Sequence, residues 1–216
     1  MNAESLIFDI DGTLWDSRAL VAQGYNEQLA KEGREDLFVN SEIFLSLFGK
    51  VMTEIADVIF ETIPVPQRYE LMERCMDSEH RLLQRDPCHI GYPGVKETIQ
   101  ALAKNHRIFI VSNSQCGYPE LCMDKLGLRT LIQDTLCFGD TGTEKGQTLL
   151  TLMKKHHITS CAYIGDTQGD YVATQVAGIP FVWAAYGFGT PEGFDAKADS
   201  FPQLLSIFAS TTEHEG

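Results

Sequence analysis

The sequence predicts an α/β protein, a doubly wound parallel sheet with an inserted all-α block. Three observations carry that prediction. From about residue 91 onward, short apolar runs of strand length alternate with helical patterns, the order that builds a parallel sheet covered on both faces. A matching apolar run, Leu6-Ile7-Phe8, stands near the N-terminus, far from the others in sequence. Between them lies a stretch of about seventy residues with helical periodicity only, too small for a typical independent domain. A chain of 216 residues has room for one large domain or one domain plus a smaller insertion. The expected division is a core of residues 1–15 and 87–216 and a helical insertion of residues 16–86.

The opening run ends in Asp9-Ile10-Asp11-Gly12-Thr13-Leu14, a buried strand entering a tight loop. Ser17 to Lys31 places Leu20, Val21, Tyr25, Leu29 and Ala30 on one helical face, and Gly33 ends it. Ser41 to Phe48, Met52 to Phe60 and Gln67 to Gln84 continue the helical pattern, with Pro64 and Pro66 separating two of these helices. Gly91-Tyr92-Pro93-Gly94 turns the chain, and Val95, Ile99, Leu102 and Ala103 mark a further amphipathic helix. Strands are expected at Arg107 to Val111, Leu136 to Phe138, Cys161 to Ile164 and Pro180 to Ala184. Helices are expected near Pro119 to Leu126, Glu144 to His156, Asp170 to Ala177 and Pro202 to Ala209, and Thr211 to Gly216 reads as a frayed polar tail.

Parallel sheets bind ligands at the carboxyl ends of their strands. Each polar cluster of interest falls at such an end: Asp9 and Asp11 after the first strand, Ser112 and Asn113 after the second, Gly165-Asp166 after the fourth. Two like charges crowded at a strand end are costly unless a cation or phosphate chemistry uses them, although Asp-x-Asp taken alone reads equally well as an Asp-rich turn. The net charge of −13 argues against nucleic acid or an anionic membrane as partner, because either would be repelled. A small anionic substrate would then need local positive charge from a metal or a few lysines. The six cysteines form no Cys-x-x-Cys pair, and no zinc or redox spacing emerges. With no signal-type N-terminus and no membrane-length apolar run, a reduced, cytoplasmic protein is expected. Nothing in the patterning specifies an oligomeric state.

Asp9-Ile10-Asp11-Gly12-Thr13-Leu14 resembles the first motif of the haloacid dehalogenase superfamily of phosphohydrolases, and three further motifs follow in that family's order. Ser112 matches the second, Lys145 in Thr143-Glu144-Lys145-Gly146-Gln147 the third, and Gly165-Asp166-Thr167-Gln168-Gly169-Asp170 the fourth. The resemblance implies a Rossmann-like core. It also implies that Asp9 is the nucleophile, forming an aspartyl phosphate that divides one hard hydrolysis into two easier steps. Asp11 would be the general acid and base. Ser112 and Asn113 would donate hydrogen bonds to the transferring phosphoryl group, Thr13 would help bind phosphate, and Lys145 would offset charge near Asp9. A lysine in a first helical turn opposes the helix dipole, a local conflict that favours a functional use for Lys145, whereas Lys154 and Lys155 read as surface charge.

Mg2+ is the implied cofactor, held by the carboxylates of Asp9 and Asp166 and the backbone carbonyl of Asp11, with Asp170 supporting the site from behind or through water. Asp11 argues against a haloalkanoic acid dehalogenase, since such enzymes in general lack the second aspartate. The order of motifs resembles the subgroup of phosphoglycolate phosphatases and beta-phosphoglucomutases, whose cap is inserted between the first two motifs. A small phosphorylated metabolite is thus the implied partner, with a phosphosugar mutase or a non-catalytic binding protein as alternatives to a phosphatase. In that subgroup a cap loop helps choose the substrate, and Phe48-Gly49-Lys50-Val51-Met52 falls where it is expected, so Lys50 is a candidate contact to the leaving group. His80 and His89 read as structural or solvated, His156 and His157 as a favourable helix end, and Trp15 as packing near the hinge.

Overall fold

The computed structural model describes residues 1–209, so the expected polar tail lies outside the described residues. The chain opens with β1 (Ser5–Phe8) and enters α1 (Arg18–Lys31), two 3-10 turns (Glu35–Leu37 and Ser41–Leu45), α2 (Met52–Ile59) and α3 (Val65–Arg85). It continues through α4 (Val95–Leu102), β2 (Arg107–Ser112), α5 (Tyr118–Leu126), β3 (Asp134–Cys137), the short α6 (Phe138–Thr141) and α7 (Lys145–Lys155). β4 (Cys161–Gly165), α8 (Gln168–Ala177), β5 (Phe181–Ala184), β6 (Ala196–Ala198), a 3-10 turn (Phe201–Gln203) and α9 (Leu204–Ile207) complete it.

The six strands form one sheet in the order β3-β2-β1-β4-β5-β6, all pairs parallel. β1 sits at the centre because Leu6, Ile7 and Phe8 are apolar on both faces, and all three are fully buried. It pairs β2 on one side (Phe8 opposite Ile110) and β4 on the other (Phe8 opposite Ile164). Connections leave β1 in opposite senses on its two sides, so the crevice beyond the ends of β1 and β4 is a topological switch point, where such sheets bind ligands. One apolar cluster, including Phe8, Ile110, Ile164 and Phe201, fills one side of the sheet. Another, including Ile7, Phe109, Tyr163 and Leu149, fills the other.

The helices between β1 and β2 hold an apolar core of their own, built from Val21, Tyr25, Phe44, Ile55, Phe60 and Met72 among others. Leu20, Leu82 and Leu83, near the ends of this block, pack instead with the sheet-side cluster. The chain leaves and re-enters the sheet side by side: Asp16 N–H donates to Ile90 O at 2.9 Å, and Tyr92 N–H to Leu14 O at 3.1 Å. Several elements depart from the sequence reading, among them the short α6, which was not expected, and the final helix, which divides into a 3-10 turn (Phe201–Gln203) and α9 (Leu204–Ile207). Ser41 to Phe48 is a 3-10 turn over five residues rather than an α-helix. Its buried Phe44 and Leu47 recur at the 3-10 spacing of three, and Gly49, at φ 91°, ends the run. β6 was not expected, because Ala196-Lys197-Ala198 carries no branched or aromatic residue to announce a strand. Among the described residues no helix is long and apolar enough to cross a membrane, and all six cysteines are free.

Candidate active site

The site gathers where β1, β2 and β4 end. Asp9, one residue beyond β1, is 3% exposed, and Lys145, the first residue of α7, is 4% exposed. The Lys145 ammonium donates to Asp9 Oδ1 at 2.9 Å and to Asp170 Oδ1 at 2.6 Å. The two carboxylates outweigh the cost of burial and hold the lysine above its usual range, which resolves the conflict of a lysine in a first helical turn. Burial, together with the nearby Asp170 charge, pushes the Asp9 carboxyl up to about 7 in spite of the lysine.

Asp170 spends its oxygens on support. Oδ1 accepts from Lys145 and from the Tyr163 hydroxyl at 3.2 Å, while Oδ2 accepts from the backbone N–H of Asp166 and from both the N–H and hydroxyl of Thr167. Its burial would raise its pKa, but the lysine and these donors more than compensate and lower it. Thr167 and Asp170 also form a capping box that starts α8, so the same acid that orients Lys145 fixes the helix carrying it.

Asp166 is fully buried, and two glycines admit it. A Cβ on Gly12, whose φ is +77°, would fall 2.1 Å from Asp166 Oδ2, and one on Gly187 would fall 2.4 Å from Asp166 Cβ. Phe188 N–H donates to Oδ2 at 2.7 Å, while Oδ1 meets only the Thr13 hydroxyl at 3.4 Å. Burial first, then Asp170 and Asp9, drives the Asp166 carboxyl well above its usual range. Ligand oxygens of Asp9, Asp166 and Asp170 lie within 4.8 Å of one another. Three carboxylates around one lysine leave negative charge in excess, and a hard divalent cation suits an all-oxygen set of this kind. Because Asp170 already accepts five hydrogen bonds, Asp9 and Asp166 are the carboxylates free to ligate, with Asp170 behind them.

Asp11 is half-buried and held through one oxygen. Its Oδ1 accepts from Trp15 Nε1 at 2.8 Å, Ser17 Oγ at 2.6 Å and Tyr118 OH at 2.9 Å. Burial raises its pKa, opposed by these three donors. Trp15 therefore packs at the hinge, as expected, and also orients Asp11. Ser112 is buried beside Asp9 in the same small cavity, its hydroxyl accepting from Ser114 N–H at 3.2 Å. The Asn113 side-chain amide is turned away from the role expected of it, because it donates to Gly49 O at 2.7 Å and so ties the β2 loop to the helical block. Lys50 reaches the cavity rim, with its side chain 46% exposed and its ammonium 3.6 Å from Glu54. His80 and His89 do not line this cavity, and the His156 ring meets Asp134 elsewhere. Sequence reasoning missed Ser17, Glu79, Gln115, Tyr118 and Tyr163, of which Ser17, Gln115 and Tyr163 lie within three residues of a motif.

Residues 6–184 match the family model described as haloacid dehalogenase-like hydrolase. The chain belongs to the haloacid dehalogenase-like hydrolases. It is thus an enzyme, as the four motifs led us to expect. A phosphoglycolate phosphatase from Photobacterium profundum is 27% identical over 94% of each chain. Among solved structures, a predicted phosphoglycolate phosphatase from Haemophilus somnus superposes with a TM-score of 0.78 at 22% identity, covering 95% of this chain and 97% of its own. CbbY from Rhodobacter sphaeroides, in complex with xylulose-(1,5)bisphosphate, does so at 0.75 and 18%, covering 94% and 96%. At such identities the two structures speak for a shared fold.

Proposed function

We propose that this haloacid dehalogenase-like hydrolase is an Mg2+-dependent phosphatase of the reducing cytoplasm, acting on a small phosphate monoester under a helical cap formed by residues 16–86. The observation that carries the reading is the convergence of Asp9, Lys145, Asp166 and Asp170 from three separated motifs into one buried cluster. The phosphatase name of the Photobacterium profundum relative supports it. Asp9 and Asp166 would hold Mg2+, which when bound offsets the charge of the phosphate and keeps the Asp9 carboxyl ionised.

Asp9 attacks phosphorus in line, the ester P–O bond breaks, and Asp11 gives its proton to the departing alkoxide. Water then attacks the aspartyl phosphate as Asp11 takes back a proton, and inorganic phosphate leaves. With Oδ1 fixed by three donors, the other Asp11 oxygen is the one available for the proton. Lys145 keeps the nucleophile oriented and balances the incoming phosphoryl charge, while the Ser112 hydroxyl meets a phosphoryl oxygen. A mutase would return the phosphoryl group to a second hydroxyl. Incubation with Mg2+ and aryl or sugar phosphates tests the choice: release of inorganic phosphate, lost in Asp9→Asn, is expected, and isomerised ester without phosphate would sink the phosphatase reading.

A further inference from the structure

The phosphate end of the cavity is accounted for by Asp9, Ser112 and Lys145, but its opposite wall carries a buried acid that hydrolysis does not need. Glu79, on α3, is 3% exposed and lines the same cavity. Its Oε1 accepts from Gln115 Nε2 at 3.0 Å, and the buried Tyr25 lines the same cavity. No lysine, arginine or histidine pairs with it among the described residues. Burial accordingly pushes its pKa up to about 8. A buried acid without a counter-cation is costly, so its place in a cavity wall calls for a use.

The carboxyl is also fixed in place. A Cβ on Gly24 of α1 would lie 2.5 Å from Glu79 Cα, so the two helices meet backbone to backbone at this position. Next to Gln115 on the β2 loop, the buried Ser114 hydroxyl has no hydrogen-bond partner among the described residues, and neither has the buried Oδ1 of Asn113. Both residues line the cavity. The wall therefore offers acceptors and hydroxyl-type partners. Of the two lysines that line the cavity, Lys145 is engaged by Asp9 and Asp170, and Lys50 stands at the exposed rim beside Glu54.

Resting on the phosphatase reading, we infer that Glu79, Gln115 and Ser114 recognise the leaving group and select esters of a neutral, hydroxylated alcohol against esters whose alcohol carries a second anion. Hydroxyl groups would satisfy the unpartnered Ser114 and Asn113 atoms and hydrogen-bond the Glu79 carboxyl. A carboxylate in their place would face the unpartnered Asn113 Oδ1 and could be held by Glu79 only in its protonated form, with no unengaged cation lining the cavity to pair it. The specificity inferred for this chain thus differs from the substrate in its relatives' name.

The test compares kcat/KM for glycerol 2-phosphate and phosphoglycolate on the full chain with Mg2+, with p-nitrophenyl phosphate as a turnover reference. Wild type is expected to prefer glycerol 2-phosphate by about ten-fold or more, and Glu79→Gln and Glu79→Ala to reduce that preference at least about five-fold. The ratio is taken within one preparation, so partial unfolding of a variant does not alter it. Preference of wild type for phosphoglycolate, or a ratio unmoved by both substitutions, overturns the inference. Should the aryl ester also resist hydrolysis, the phosphatase reading itself falls. The ratio of dissociation constants for the two esters on Asp9→Asn protein then decides the specificity by the same criterion.

Discussion

Replacing Lys145 by methionine keeps the length and bulk of the side chain and removes only its charge. Its ammonium lies 2.9 Å from Asp9 and 2.6 Å from Asp170, both buried. At an effective dielectric of about 20, each contact is worth roughly 6 kcal/mol of attraction, most of it offset by the cost of burying the three charges. Deleting one partner leaves that cost uncompensated, so metal-free Lys145→Met is expected to lose about 3–5 kcal/mol. Burial and Asp170 already hold the Asp9 carboxyl at about 7 with the lysine present. Without it the carboxyl rises further and less of it is ionised as a nucleophile. Turnover of p-nitrophenyl phosphate should fall by at least about 10²-fold. Urea denaturation at pH 7.5 in chelator measures the first effect and steady-state kinetics with Mg2+ the second. Added Mg2+ should recover part of the lost stability, since a cation bound only by the folded state replaces the missing charge. A stability loss below about 1 kcal/mol together with turnover within ten-fold of wild type would mean that Lys145 is an ordinary lysine.

Asp9→Asn should reduce hydrolysis by about 10⁴-fold or more while leaving the circular dichroism spectrum intact, and a smaller loss would move the nucleophile elsewhere. Gly12→Ala should weaken Mg2+ activation severely, because its Cβ would strike Asp166 Oδ2 and its φ of +77° is strained for any L residue; an unchanged Mg2+ titration would contradict this. For Glu79 the sign follows from a pKa raised from 4.5 to about 8: the folded state holds the extra proton, so stability is greatest below 4.5 and is lost as pH rises through 8. Glu79→Gln should therefore gain on wild type by up to about 4 kcal/mol between pH 5 and pH 9 in urea titrations, and parallel pH profiles would refute the burial argument.

The strands were legible because a parallel sheet buries both faces of its strands and leaves uninterrupted apolar runs, as at Leu6–Phe8 and Ile108–Val111. The acidic cluster was legible because its members end those strands or open the helices that follow them. Tyr118 was not. It reaches Asp11 across 107 residues, and nothing in Gly117-Tyr118-Pro119 marks a hydroxyl aimed at another motif. Glu79 was hidden for the opposite reason. It sits in a helix rich in charge, where one more glutamate looks solvated, although its spacing from Cys75 and Leu82 places it on the buried face, where Gly24 of α1 admits it. Sequence periodicity reports which face of a helix is apolar, whereas these residues depend on which helix lies opposite.

The loop after β2 joins what the motifs treat separately. Within seven residues, Ser112 lines the cavity with Asp9, Asn113 holds Gly49, Gln115 holds Glu79, and Tyr118 holds Asp11. Gly117, at φ 82°, makes the turn that aims Tyr118 back toward Asp11. A displacement of the helical block that pulls on Asn113 or Gln115 therefore acts on the same short segment that orients the proposed acid and base. The two side-chain bonds by which this loop holds the block are individually worth about 1 kcal/mol net. They are joined by the Phe48 and Phe188 rings, 5.8 Å apart. The block has its own apolar core. In the cap reading proposed above, links of this strength fit opening and closing on the microsecond to millisecond scale typical of catalytic lids, with proton transfer favoured in the closed arrangement.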